Sequence, residues 1–148
     1  MAQSDSRRLG AVMAYLYPEL NCRLTSNGEF RPDLCDYYLE NNSDGMGTQL
    51  VWQRDDIPEP TDQELADAKE AALNAEWWRA LRWKRDELLQ KSDWSQGEDI
   101  PSSLKTSYAT YRVELRDLPT TVTKPSFETL NNQSFGEWNI DALMPSKP

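Results

Sequence analysis

The chain is 148 residues long, 38% apolar, and carries a formal net charge of -9 with no histidine. That length suits one modest domain or a small domain with a helical extension. A mean hydropathy of -0.80 and apolar runs of only a few residues leave nothing near the ~20 apolar residues of a spanning helix, and the acidic balance opposes general binding to nucleic-acid phosphates or an anionic membrane surface.

The missing histidine removes the commonest general base, the commonest zinc ligand and the familiar catalytic triads. Cys22 and Cys35 are the only cysteines, and neither sits in a C-x-x-C pair, so no metal site is expected. Without a secretion signal the two are expected to be reduced, with a disulfide open to them if the fold brings them together.

Residues 1–10 read as a polar arm, without the apolar run of a secretory leader. Ala11 to Tyr17 is apolar on all sides and suits either a short helix or a buried strand, stopped by Pro18. Ser26-Asn27-Gly28 is a turn signal. Asp36 to Glu40 and Thr48 to Gln53 read as two strands of a hairpin, joined by Asn41 to Gly47, residues that tolerate left-handed backbone. Leu50 and Trp52 alternate along the second strand, which suggests one buried face. Gly45-Met46-Gly47-Thr48 is superficially like a phosphate loop but lacks its Gly spacing and its Gly-Lys-Ser/Thr ending.

Asp55 to Pro60 is a rigid linker, because Pro58 and Pro60 cannot sit inside a helix. Thr61-Asp62-Gln63-Glu64 then fits a capping box and starts a long helix. No Gly or Pro interrupts from Asp62 to about Lys91. Leu73, Trp77, Ala80, Leu81, Lys84 and Leu88 fall on one side, Trp78 lies about 100° round, and Trp83 lies on another side. The basic residues Arg79, Arg82, Lys84 and Arg85 are interleaved with Glu76, Asp86 and Glu87, which suits a salt-bridged solvated face.

A loop follows from about Ser92 to Pro101. A second helix is expected from about Ser102 to Leu118, capped by Ser102 or Ser103 and ended by Pro119. Its seam is Leu104, Tyr108, Tyr111, Leu115 and Leu118, at heptad spacing. Residues 120–148 show no sustained periodicity and read as an extended arm with single apolar anchors, among them Phe127, Leu130, Phe135 and Trp138. The fold class is therefore α+β: a small N-terminal domain with a β-hairpin (1–57), a long-helix helical hairpin (58–119) and an extended C-terminal arm (120–148).

Two blocks of this text resemble a known family. Arg85, Leu88, Leu89, Ser92, Asp93, Trp94, Ser95 and Gln96 form the first. Tyr111, Arg112, Leu115, Arg116, Asp117, Leu118 and Pro119 form the second. Together they are similar to the phage tail assembly chaperone family, also called tail fibre assembly proteins, over roughly residues 61–119. The first half resembles, more distantly, a small domain of tail proteins from similar phages, through Tyr17-Pro18, Asp36, the Asn42 to Gly45 loop, Trp52 and Pro58 to Thr61. The family often ends soon after its Leu-Pro, whereas this chain runs on to Met144-Pro145-Ser146-Lys147-Pro148.

The resemblance implies a non-enzymatic protein without cofactor. It would act in the host cytoplasm during assembly, bind a phage tail fibre or other tail protein, shield its apolar surface and assist oligomerisation. The alternative is a structural component, a tail or fibre adaptor retained in the virion tail. Homo-oligomers fit either reading; nucleic-acid and membrane partners fit neither. A small hydrolase is the remaining class, and it would need Asp55, Asp56 and Glu59 to converge on a cleft. Asp93 and Asp117 are better read as a loop cap and a helix-end ion pair with Arg116 or Arg112 than as an acid/base pair. Tryptophan and tyrosine favour interfaces, so the candidate partner-binding set is Trp77, Trp78, Trp83, Trp94, Tyr108, Tyr111, Phe135 and Trp138.

Overall fold

The computed structural model describes residues 2–20, 22–24 and 30–148, with side chains from residue 8 onward except those of 21–29. The chain divides into two compact units, Met1–Ala75 and Glu76–Pro148. The expected turn at Ser26-Asn27-Gly28 lies outside the described residues.

The first unit opens with α1 (Ala2–Leu16), so the stretch expected to be a polar arm is helical. The apolar segment from Ala11 is the C-terminal half of that helix. Val12 and Leu16, one turn apart, pack with Leu65, Ala68 and Ala72 of the long helix. Burying that stripe stabilises a helix whose polar first turns have little propensity of their own.

β1 (Cys22–Leu24) pairs antiparallel with β2 (Phe30–Cys35), a ladder not anticipated because Arg31, Pro32 and Asp33 interrupt any apolar pattern. Proline is tolerated there because each strand of a two-stranded ladder is an edge. Cys22 and Cys35 are register partners, and Cys35 is disulfide-bonded, which corrects the expectation of reduced thiols. The physical reason is position: antiparallel partners hold their Cα atoms about 4.5–5.5 Å apart, inside the range a disulfide spans.

β3 (Tyr37–Glu40) and β4 (Gln49–Trp52) form the expected hairpin, with Tyr37 opposite Trp52 and Glu40 opposite Gln49. Its loop is held locally. The Asn41 side chain accepts from the Ser43 N–H at 3.0 Å, and the Asp44 side chain accepts from the Met46 N–H at 2.9 Å. Gly45 and Gly47 have φ of 86° and 79°, a region that disfavours a Cβ. The single buried face expected on β4 is not formed, since Leu50, Val51 and Trp52 are all half-buried. Trp52 is anchored by the rings of Tyr17 and Tyr37 and donates its indole N–H to the Ile57 carbonyl at 2.9 Å. Arg54 clamps Asp36 at 2.9 Å and Asp56 at 2.6 Å.

α2 (Asp62–Lys91) starts as its capping box dictates. The Thr61 N–H donates to Glu64 Oε2 at 2.8 Å, and the Glu64 N–H donates to Thr61 Oγ1 at 3.2 Å. At about 1.5 Å per residue the helix runs about 45 Å, and the two compact units divide within it.

In the second unit the chain leaves α2 through a 3-10 turn (Asp93–Gln96) and enters α3 (Ser102–Thr121). Pro101, not a serine, occupies the cap position, with no side-chain cap bond; its carbonyl accepts the Lys105 N–H at 2.9 Å. Pro119 lies inside α3 rather than ending it. In the last turn its missing N–H forfeits one bond, and the helix closes two residues later at Thr121. Tyr108, Tyr111, Leu115 and Leu118 of the seam form the core, with Leu88, Leu89, Val122 and Met144 against it, whereas Leu104 is exposed.

Beyond α3 the chain holds α4 (Phe127–Asn132) and a 3-10 turn (Ile140–Leu143), with extended stretches between. Ser126 caps α4 by accepting the Thr129 N–H. Leu130 and Trp138, both apolar anchors, are buried. Lys84 on α2 bonds Asp141 at 2.9 Å, which ties the second 3-10 turn to the long helix.

Candidate functional site

The end of α2 is built as a joint. A helix leaves its last carbonyls without intrahelical partners, and here two serines and an arginine meet them. Ser92 Oγ donates to the carbonyls of Leu88 and Leu89, both at 2.9 Å. Arg112, reaching across from α3, donates from Nη1 to the Leu89 carbonyl at 2.6 Å and to Ser92 Oγ at 2.7 Å. Its Nη2 donates to Asp93 Oδ1 at 2.8 Å. Ser95 Oγ then donates to the Ser92 carbonyl at 2.7 Å, and Gln96 Nε2 donates to Ser95 Oγ at 3.0 Å. Ser92, Ser95 and Arg112 are the buried polar residues of this region. A guanidinium at a helix C-terminus also complements the negative end of the dipole.

Asp93 is therefore the outer partner of an ion pair with Arg112, as the loop-cap reading of the sequence has it. Asp56 is exposed and held by Arg54, and Asp55 and Glu59 are exposed. Among the described residues no group of three or more Cys, Asp or Glu is placed to hold a metal. None of their helices is long and apolar enough to cross a membrane.

The eight aromatic residues singled out from the sequence separate by burial. Trp77 is fully buried, and Tyr108, Tyr111 and Trp138 are nearly so. The indole N–H groups of Trp77 and Trp138 find no acceptor among the described residues. Trp78 and Phe135 are half-buried. Trp78 meets Trp77 edge-on at 4.9 Å and carries the Arg82 guanidinium over its ring at 5.8 Å. Phe135 lies against Trp138 at 4.4 Å. Burial pushes the Tyr111 hydroxyl above its ordinary pKa.

Trp94 and Trp83 face outward, 48% and 64% exposed. Trp94 leans its edge on Tyr108 at 4.9 Å. Trp83 opens an open groove continued by Asp86, Glu87, Leu89, Gln90 and Asp93. The spacing explains the groove: positions 83, 86, 87 and 90 lie on one stripe of a helix, and the 3-10 turn prolongs it to Asp93.

The charged face of α2 is laced as the sequence suggests. Arg79 pairs with Glu76, Arg85 with Asp86, and Glu87 with both Lys84 and Lys91. Lys91, then Lys84, hold the Glu87 carboxyl below the usual range. Asp141, then Glu87, push the Lys84 ammonium up.

The sequence reading did not find Arg112. It sits beside Tyr111 on the seam, and the signal available was its place in the second block, opposite the Ser92-Asp93 pair of the first.

Residues 78–138 match the family model described as phage tail assembly chaperone protein. The resemblance carried by the two blocks thus holds, over a segment that starts later and ends later than the blocks alone suggest. It takes in every candidate aromatic residue but Trp77, and also the turns that follow Pro119. The match supports a role in phage tail assembly. No curated protein and no solved structure matches the chain.

Proposed function

We propose that this chain is an assembly chaperone for a phage tail fibre or other tail subunit. It binds the subunit in the host cytoplasm and covers apolar surface until the subunit assembles. The match over residues 78–138 carries this reading. The outward tryptophans support it: Trp83 and Trp94 present large apolar area to solvent, and such area marks interaction surfaces. The buried members of the candidate set act indirectly, by holding the α2–α3 joint that displays the other two.

No bond-making chemistry enters the proposal. The work is differential binding: the chaperone must prefer the unassembled subunit, and the assembled one must release it. The alternative, a retained adaptor, draws on a C-terminal segment free to dock. Leu130 and Trp138 are already used inside this chain, so that reading is an outcome of the test rather than a second proposal.

The test is co-expression with the tail fibre protein encoded beside it, followed by quantification of both chains in purified particles. The expected result is soluble, oligomeric fibre only when this chain is present, with this chain missing from finished particles. A fixed ratio to the fibre in particles would make it an adaptor. Fibre assembly indifferent to this chain would overturn the proposal.

A further inference from the structure

Trp83 differs from the other five tryptophans. Trp52, Trp77, Trp78, Trp94 and Trp138 each pack against another aromatic ring. Trp83 has no ring or cation against it among the described residues and is the most exposed indole of the second unit. Its surroundings are specific in charge. Three carboxylates and no cation line the groove that begins at Trp83, over a floor given by Leu89.

The carboxylates are not spent on their internal partners. Asp86 uses Oδ1 for Arg85, and Asp93 uses Oδ1 for Arg112. The Oδ2 atom of each has no partner among the described residues, and the two side chains remain 60% and 64% exposed. Those ion pairs fix the carboxylates in place without neutralising the groove from within, because the cations sit outside its lining. An indole face beside fixed carboxylate oxygens is the arrangement that receives a guanidinium: stacking on the ring, with N–H donors to the acids. The same chemistry already operates one turn away, where Arg82 covers Trp78.

We infer that the Trp83 groove docks a basic segment of the partner protein, an arginine followed by an aliphatic residue, with the guanidinium on Trp83 against Asp86 and the aliphatic side chain over Leu89. This rests on the chaperone reading above and specifies the partner chemistry it uses.

The probe is an acetylated, amidated Arg-Leu-Arg-Leu peptide, titrated into the full chain while the indole N–H resonances are followed by NMR. Trp83→Phe identifies the Trp83 resonance. The Trp83 signal is expected to move on titration while those of Trp77 and Trp138 stay. A Gln-Leu-Gln-Leu peptide is expected to bind about tenfold more weakly, a difference of about 1.4 kcal/mol. Added salt should weaken the arginine peptide alone. Asp86→Asn should reduce its binding several-fold without changing thermal unfolding, since that side chain is exposed.

Equal binding of the two peptides would overturn the inference in favour of a purely apolar partner. A Trp83 shift that grows with protein concentration alone would overturn it in favour of a second copy of this chain. No shift at saturating peptide would overturn it outright. The co-expression test is independent: fibre assembly that survives Trp83→Ala with Asp86→Asn removes the groove and leaves the chaperone reading, whereas assembly indifferent to the whole chain removes the reading.

Discussion

Arg112 on α3 donates to the main-chain carbonyl of Leu89 on α2, at 2.6 Å, from a side chain only 9% exposed. One residue thus closes the end of one helix, orders the turn that follows and pins the next helix to both.

Arg112→Ala is expected to lower unfolding free energy by about 2–4 kcal/mol, because it strands buried acceptors. Asp93→Asn should cost under about 1 kcal/mol, since that carboxylate is mostly solvated. Arg112→Lys should recover only part of the loss, as an ammonium cannot reproduce the fork. Urea unfolding of the three variants checks the order.

The tryptophans should separate by stability as they do by burial. Trp77→Ala is expected to cost about 3–5 kcal/mol, as for a large core side chain. Trp94→Ala should cost about 1 kcal/mol, most of it the edge contact with Tyr108. Trp83→Ala should leave the melting temperature unchanged. Equal losses at Trp77 and Trp83 would contradict the burial pattern.

Leu130→Ala is expected to cost about 2–4 kcal/mol in the isolated chain, because Leu130 is fully buried. A segment ordered only by a partner would show no loss. Thermal melting of the purified variant decides between them.

Stability is expected to fall on acidification. The N–H of Thr61 holds Glu64 below the usual carboxylate range, and the N–H of Ser134 does the same for Glu137. Lys91 and Lys84 depress Glu87, and Arg54 depresses Asp56. Each depressed group contributes stability that is present above its unfolded pKa, roughly 4, and lost as pH falls through the folded value. Melting temperatures should therefore be flat near neutrality and drop below about pH 4. Glu64→Gln should shrink that drop.

Much of this architecture was legible where local rules and burial agree. Thr61 and Glu64 announce the start of α2, Asn41 to Gly47 announces the hairpin loop, and the spacing of Tyr108, Tyr111, Leu115 and Leu118 announces a buried seam. What escaped depends on partners distant in the chain. Nothing local marks residues 2–10 as helical, because the stripe that stabilises α1 is supplied by Leu65, Ala68 and Ala72. Pro32 disguises β2, since only the pairing decides that it is an edge. The burial of Trp77 and exposure of Trp83, six residues on, follow from which side of α2 other elements cover.

The joint also sets where this chain tolerates changes of length. Adding one residue between Leu89 and Gln96 would turn the α2 end by about 100°, carrying the Leu89 carbonyl and Ser92 hydroxyl away from Arg112. From Gly97 to Pro101 the backbone is mostly exposed and carries few such bonds, and lengthening a surface loop costs little. Insertions and deletions among related sequences should therefore collect in residues 97–101 and avoid residues 89–96. An epitope tag or a fluorescent insertion placed there should leave the molecule folded.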